Sequence, residues 1–368
     1  MKAIFKILTL CPFLLLLSCE KDDVTPEEEF PQNCNVVEVS GTIDAPTVWE
    51  AGNVYIINRT NVSVRSVLTI EPGVIVKLKD ASIDVVGGKI IAVGTAQKRI
   101  VFTSLADDRY CGDSNDDSAV TTAAKGDWER ININGTTETV FKYVDIFYAG
   151  KSSGGVNSAV RIMSPNSVSF TFDHCRIAHT LGGTRSDSQA FHGSTSMVDS
   201  NISKFTNNAL YDNDKPIYFN SFYTLDPSNV FHNPENPSQK NSHNGIYLFG
   251  SVLNATVNWH NTEVPYVVDQ SYQVYNSATI NIGANVIVKI MRQGASFSRS
   301  APQNIIIHSS AILTSYKDDT HGGDTNGDGN ATSPAKGDWD GVYNNYTGGA
   351  HWDDGVNILY AKKPIIIN

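Results

Sequence analysis

Two stretches of this chain concentrate oxygen-bearing side chains at spacings that suit a hard cation. From Thr103 to Trp128 the sequence reads TSLADDRYCGDSNDDSAVTTAAKGDW, and from Thr314 to Trp339 it reads TSYKDDTHGGDTNGDGNATSPAKGDW. The two align without a gap at an offset of 211, with 14 of 26 positions identical. In the second, Asp324, Asn326 and Asp328 occupy positions 1, 3 and 5 of a turn with Gly329 at position 6, the opening of an EF-hand loop. Position 12 is Ala335 instead of glutamate, so further oxygens have to come from Asp318, Asp319 and Asp338. The first copy keeps Asp107, Asp108, Asp113, Asn115, Asp117 and Asp127, with Ser118 in place of Gly329. Retention of these six residues, when the copies agree at only about half of their positions, predicts a loop stapled by Ca2+ in each copy. The competing reading is a solvated acidic loop ordered by Asx turns.

Other chemistry is sparse. Rung-like segments FKYVDIFYAG, FDHCRIAHTLG and VDSNISKFTNN align on Ile146, Ile177 and Ile202. Val144, Cys175 and Ser200 then share the inward face, and Asp145, Arg176 and Asn201 form an outward column. One acid, one base and an amide make a weak catalytic set, so Asp145 and Arg176 read as a surface pair. The nine histidines have no metal-ligand spacing, and no GxSxG, GxGxxG or Gly-Lys-Ser/Thr loop occurs. Cys175 reads as a core filler. Pairing of Cys34 with Cys111 is left open by the sequence.

The elements that must position these residues are short. Val54–Ile57, Leu68–Ile70, Val74–Leu78, Ile83–Val85, Ile90–Val93 and Ile100–Phe102 are runs rich in Val and Ile, separated by Asn, Gly, Ser and Asp. Such runs, with few hairpin turns, fit a solenoid of three strands per rung better than a sandwich. The echo of the acidic loop extends outward. Val54-Tyr-Ile-Ile57 matches Pro265-Tyr-Val-Val268, Val74–Leu78 matches Val286–Ile290, and Trp49 matches Trp259. Related modules are therefore expected at about 39–149 and 250–361 of a β-helix spanning 38–368. At ~25–30 residues per rung this predicts about eleven to thirteen rungs.

"IEPGV" (70–74), "VGTA" (93–96) and the loop ending in KGDW resemble secreted right-handed parallel β-helix proteins of the pectin-lyase-like type. The resemblance implies an all-β, single-stranded right-handed parallel β-helix with two long acidic insertions. It implies no particular activity, since that fold hosts lyases, hydrolases, adhesins and stalks. Residues 1–19 resemble a lipoprotein signal peptide, which makes Cys19 the lipidated residue and an outer membrane the anchor. The acidic segment 20–37 is expected to be a tether, with the cell exterior as destination. The net charge of −10 gives no electrostatic case for nucleic acid. The expectation is a monomeric surface lipoprotein that binds extracellular polysaccharide or another surface partner without catalysis. The alternatives are a polysaccharide lyase or glycoside hydrolase, and a structural spacer or adhesin.

Overall fold

In the computed structural model, residues 34–367 are described, apart from 135–137, 153–155, 164–168, 184, 186–187, 194–202, 222, 251–254, 276 and 347–356. The signal segment, Cys19 and the tether to residue 33 lie outside the described residues, as do Ser200, Asn201 and Ile202. Residues 35–37, expected in the tether, belong instead to the strand Asn35–Glu38, which pairs with Asn53–Asn58.

The chain is all-β with almost no helix, and its long parallel sheets are compatible with a β-helix solenoid. Successive strands go to three different sheets and then return to the first. The first sheet has seven strands, from Asn35–Glu38 to Ala209–Tyr211. The second has twelve, from Gly41–Ile43 to Asn357–Ile358, against eleven to thirteen rungs anticipated. The third has six, from Thr47–Trp49 to Lys204–Thr206. Further along the chain, a four-stranded and a three-stranded sheet join the second one. Antiparallel pairing among the described strands is confined to the hairpin of His232–Asn233 and Asn236–Lys240.

Short Val/Ile-rich strands suit this arrangement because every other side chain enters a shared interior while the ladder continues above and below. Val76, Leu78, Ile100, Phe102, Phe141, Phe172, Phe191 and Phe205 fill that interior. Phe141 stacks on Phe172 with centroids 4.8 Å apart. Sharp corners are made by residues in the left-handed region: Tyr143, His174 and Asn207 before successive strands of the first sheet, and Tyr148, His179 and Asp212 after them. Side chains with a Cβ are strained there. Stacking offsets this, Tyr143 on His174 at 4.6 Å and Tyr148 on His179 at 4.9 Å. Beneath the corners runs a buried amide ladder. Asn208 Nδ2 donates to Asn229 Oδ1 (3.0 Å), and Asn213 Nδ2 donates to Asn241 Oδ1 (2.9 Å).

The repeated segments enter the coil on different sheets. Asn53–Asn58 and Ile100–Ser104 lie in the first sheet, but their counterparts Tyr266–Val268 and Ile312–Ser315 lie in the second. The local packing is nevertheless reproduced: Trp49 stacks on Tyr55 at 4.7 Å, and Trp259 on Tyr266 at 5.0 Å, both at 13°.

Cys34 and Cys111 are disulfide-bonded, with Cα atoms 5.3 Å apart. The bond ties the first strand to the first acidic loop. Cys111 has φ +58°, and its counterpart Gly322 has φ +76°. A Cβ at Gly322 would lie 2.4 Å from Pro265 Cγ, so the second loop has no room for the same side chain. The bond closes a separation of 77 residues, and loss of such a bond typically costs about 2–5 kcal/mol. Reduction is expected to deprotect the amides of Asn35–Glu38 and of the first loop in hydrogen exchange, leaving 314–339 unchanged. Uniform deprotection of both loops would contradict this.

Candidate functional site

Each acidic loop lies over the outer surface of a sheet. In the first, Leu105, Tyr110 and Cys111 cover Val54, Ile75, Val101, Phe147 and Tyr211 of the first sheet. In the second, Tyr316 packs on Tyr218, Tyr247 and Val267 of the second sheet, and its hydroxyl is 2.8 Å from that of Tyr247. Trp128 and Trp339, which end the loops, are fully buried. Their Nε1 groups donate to Phe147 O (2.7 Å) and Leu359 O (2.8 Å). They are core residues returning the chain to the coil.

The loops are hydrogen-bonded alike. Thr103 Oγ1 donates to Asp107 Oδ2 (2.5 Å) as Thr314 Oγ1 does to Asp318 Oδ2 (2.6 Å). Ser104 Oγ donates to Asp127 Oδ2 (2.5 Å) as Ser315 Oγ does to Asp338 Oδ2 (2.7 Å). Asp107 is also bound by Arg109, and Asp338 by Lys317. These four carboxylates of the expected ligand sets are thus engaged in bracing the ends of the loops. Burial alone would raise the Asp318 carboxyl, but bonds from Thr314, Thr320 and His321 hold it below the usual range.

The remaining four positions of each set are also hydrogen-bonded alike. Asp113 accepts from the Asp117 and Ser118 amides, and Asp324 from those of Asp328 and Gly329. Asn115 Nδ2 donates to Asp117 Oδ2, and Asn326 Nδ2 to Asp328 Oδ2, both at 2.8 Å. Thr121 and Thr332 close on the same aspartates. So the Asx-turn bonding of the competing reading is present. Four oxygens do not take part in it. Asp108 Oδ1 and Asn115 Oδ1 in one loop, and Asp319 Oδ1 and Asn326 Oδ1 in the other, are buried without any hydrogen-bond partner. Burial raises the Asp319 carboxyl, and Asp324 and Asp328 add to it against the pull of Lys289. Burial likewise raises Asp108. One carboxylate oxygen each from Asp319, Asp324 and Asp328 lies within 4.8 Å of the others. An all-oxygen donor set of this kind fits Ca2+ or Mg2+ rather than a thiolate- or imidazole-seeking metal.

Sequence reasoning missed the residue under each loop. Lys77 and Lys289 are fully buried, and their Nζ atoms donate to Gly112 O (2.7 Å) and Gly323 O (2.6 Å). The signal was a lysine kept inside both apolar runs, VIVKL and VIVKI. Desolvation lowers both; Lys289 falls to about 8 despite Asp319, Asp318 and Asp324. Its folded value is thus below its unfolded value of about 10.4, so between roughly pH 8 and 10 the unfolded chain holds more protons and stability rises with pH. In chelator, the melting temperature should climb across this window, and Lys289→Met should flatten that climb. An equal climb in the variant would assign it to other groups.

The outward column differs from expectation. Asp145 is paired in register with Arg176, as expected, but Arg176 is paired with Ala209. The step to that strand is longer than the aligned segments implied, and Lys204–Thr206 belongs to the third sheet. Asp145 does not sit at the surface. It is fully buried and gripped by Arg99, whose Nε lies 2.9 Å from both carboxylate oxygens and whose Nη2 lies 2.6 Å from Oδ1. Arg176 Nη1 stands further off, 3.8 Å from Oδ2, and its Nη2 faces Glu235 of the hairpin at 3.5 Å. Cys175 is buried in the core, and burial pushes its thiol up to about 12. Among the described residues no helix is long and apolar enough to cross a membrane.

No family model matches the chain, and neither a curated protein nor a solved structure matches it.

Proposed function

We propose that the protein is a right-handed, pectin-lyase-like β-helix anchored through Cys19 at the outer membrane, facing the exterior. It binds extracellular polysaccharide without turning it over. In this reading each acidic loop holds one Ca2+: Asp108, Asp113, Asn115 and Asp117 in the first, Asp319, Asp324, Asn326 and Asp328 in the second. The observation that carries the metal assignment is the pair of buried, unpartnered oxygens recurring at the same two positions of both loops. A buried acceptor without a donor costs about 1–3 kcal/mol, and a cation satisfies two per loop at once. When bound, the ion supplies charge neutralisation that fixes the loop over its sheet. The disulfide accords with an oxidising location.

The non-catalytic part of the reading rests on Asp145. A general base has to reach a substrate proton, and this carboxylate is sealed beneath Arg99. The test is a glycan-binding screen run alongside an assay for new reducing or unsaturated sugar ends. Binding without product is the expected result. Product formation that Arg176→Ala abolishes would establish the lyase or hydrolase alternative. Absence of any binding at millimolar glycan would leave a spacer.

A further inference from the structure

The two acidic loops repeat each other's hydrogen bonds but are fastened to the coil by different means. In the second, the anchor is packing. Gly322, between Asp319 and Asp324, lies so close to Pro265 that a Cβ would come within 2.4 Å of Pro265 Cγ. Tyr316 adds a bond inside the turn, its hydroxyl donating to Thr325 O at 3.0 Å. In the first loop the counterpart of Gly322 is Cys111 and the counterpart of Tyr316 is Leu105. Leucine has no hydroxyl to donate, and the anchor between Asp108 and Asp113 is the bond to Cys34. Lys77 and Lys289 hold the following carbonyl in both loops and so do not distinguish them.

The backbone sharpens the difference. Between 111 and 119, and between 322 and 330, five positions of each loop fall in the left-handed region at matching places. In the second loop they are Gly322, Gly323, Gly327, Gly329 and Asn330; in the first they are Cys111, Gly112, Asp116, Ser118 and Ala119. Glycine adopts this region freely and asparagine with little strain, whereas cysteine, serine and alanine are strained in it. The first loop therefore holds its ligand-bearing turn in a conformation that its own residues disfavour. A covalent bond at the first of the five positions is what constrains it.

We infer that the Cys34–Cys111 bond gates Ca2+ at the first loop. Closed, it presents Asp108, Asp113, Asn115 and Asp117 to the ion. Open, the turn relaxes and the ion leaves, while the second site stays loaded. This rests on the calcium reading above and adds the regulation of one of its two sites. What is lost on opening is preorganisation: a turn already in place binds more tightly than one that must first be ordered. The opening step needs a thiol reductant. A dithiol supplies two electrons and two protons, the Sγ–Sγ bond breaks to give two thiols, and the dithiol closes to its own disulfide. Cys34 is only partly buried, which leaves the bond open to attack from that side.

The test is Ca2+ titration of the mature chain by calorimetry. The oxidised protein should bind at two sites. Cys34→Ala/Cys111→Ala should weaken one of them at least about tenfold, the scale of a single left-handed residue released, and leave the other as in the parent. Asp319→Asn, which weakens the second site, identifies the one that moved. Cys34→Ala/Cys111→Gly should regain part of the loss, because glycine keeps the left-handed φ without the bond. Should the cysteine variants fold poorly, mild reduction of the intact chain gives the same comparison, and by linkage Ca2+ should make the bond harder to reduce by the same factor. Two sites unchanged by opening would overturn the gate but keep the calcium reading. Equal weakening of both sites would also overturn the gate, since the bond would then act on the whole fold. No binding to the oxidised chain would remove the calcium reading and the gate with it.

Discussion

Arg99→Met should destabilise the protein by about 3–5 kcal/mol, the usual result of stripping the partner from a buried charge. Asp145 is fully buried and takes its closest contacts from the Arg99 guanidinium. Methionine fills most of the arginine's volume but leaves the carboxylate without its cation. Arg176, 3.8 Å from Oδ2 and half turned toward Glu235, is too far to replace it. With unfolding entropy near 2.1 cal/mol/K per residue, that loss lowers the melting temperature of a chain this size by about 4–7 °C. The double variant Arg99→Met/Asp145→Leu should recover most of the loss, since an apolar pair is often as stable as the buried ion pair it replaces. A catalytic Asp145 would give the opposite pattern: full stability in the single variants and loss of turnover. If Arg99→Met melts like the parent, the structural assignment of Asp145 is wrong.

What was legible in the sequence follows from how local each signal is. The parallel, short-stranded architecture could be read because Val and Ile runs of three to five residues recur between turn residues, and that pattern needs no knowledge of partners. The echo around Trp49–Tyr55 and Trp259–Tyr266 was visible for the same reason. Register was not. Asp145, Arg176 and the residue after them in the column depend on loop lengths, and the ladder advances 33 residues from Arg176 to Ala209, a step that an alignment anchored on nearby isoleucines does not find. Burial of outward-facing residues was also hidden. An outward position on a strand is ordinarily solvated, but the acidic loop folds back and turns the outer side of the first sheet into a second core with Tyr110 and Tyr211. Lys77 and Lys289 illustrate both points: an alternating pattern marks them as outward, and only the covering loop makes them buried anchors. The asparagines at 208, 213, 229 and 241 carry no signal of their own in the sequence, and only the parallel stack aligns them into a ladder. The acidic loops themselves were found because duplication filtered them. Their two roles separated only in three dimensions, with Asp107, Asp127, Asp318 and Asp338 bracing the loop ends while Asp319, Asp324 and Asp328 of the second loop gather.

Two-millimolar Ca2+ should raise the melting temperature by about 5 °C over the value in chelator. A module with a dissociation constant near 10⁻⁴ M gains about 2 kcal/mol from each site at that concentration, and two sites contribute about 4. The informative variant is Asp319→Asn, because its effect should change sign with the metal. In chelator the folded Asp319 carboxyl is raised by burial and by Asp324. A raised carboxyl is ionised at a cost to the folded state at every pH above its folded value, and asparagine removes that cost. The variant should therefore equal or exceed the parent in chelator. With Ca2+ it should fall below the parent by the share of the second loop, since a neutral amide holds the ion more weakly than a carboxylate. Asp108→Asn should do the same for the first loop, and the two effects should add, because the loops rise from different sheets and share no ligand. In this reading the Lys289 ammonium balances part of the cluster charge, so a singly charged ion is expected to gain less there than a divalent one. Superimposable melting curves in Ca2+ and chelator would show that hydrogen bonds alone hold the loops, and the four unpartnered oxygens would then meet water instead.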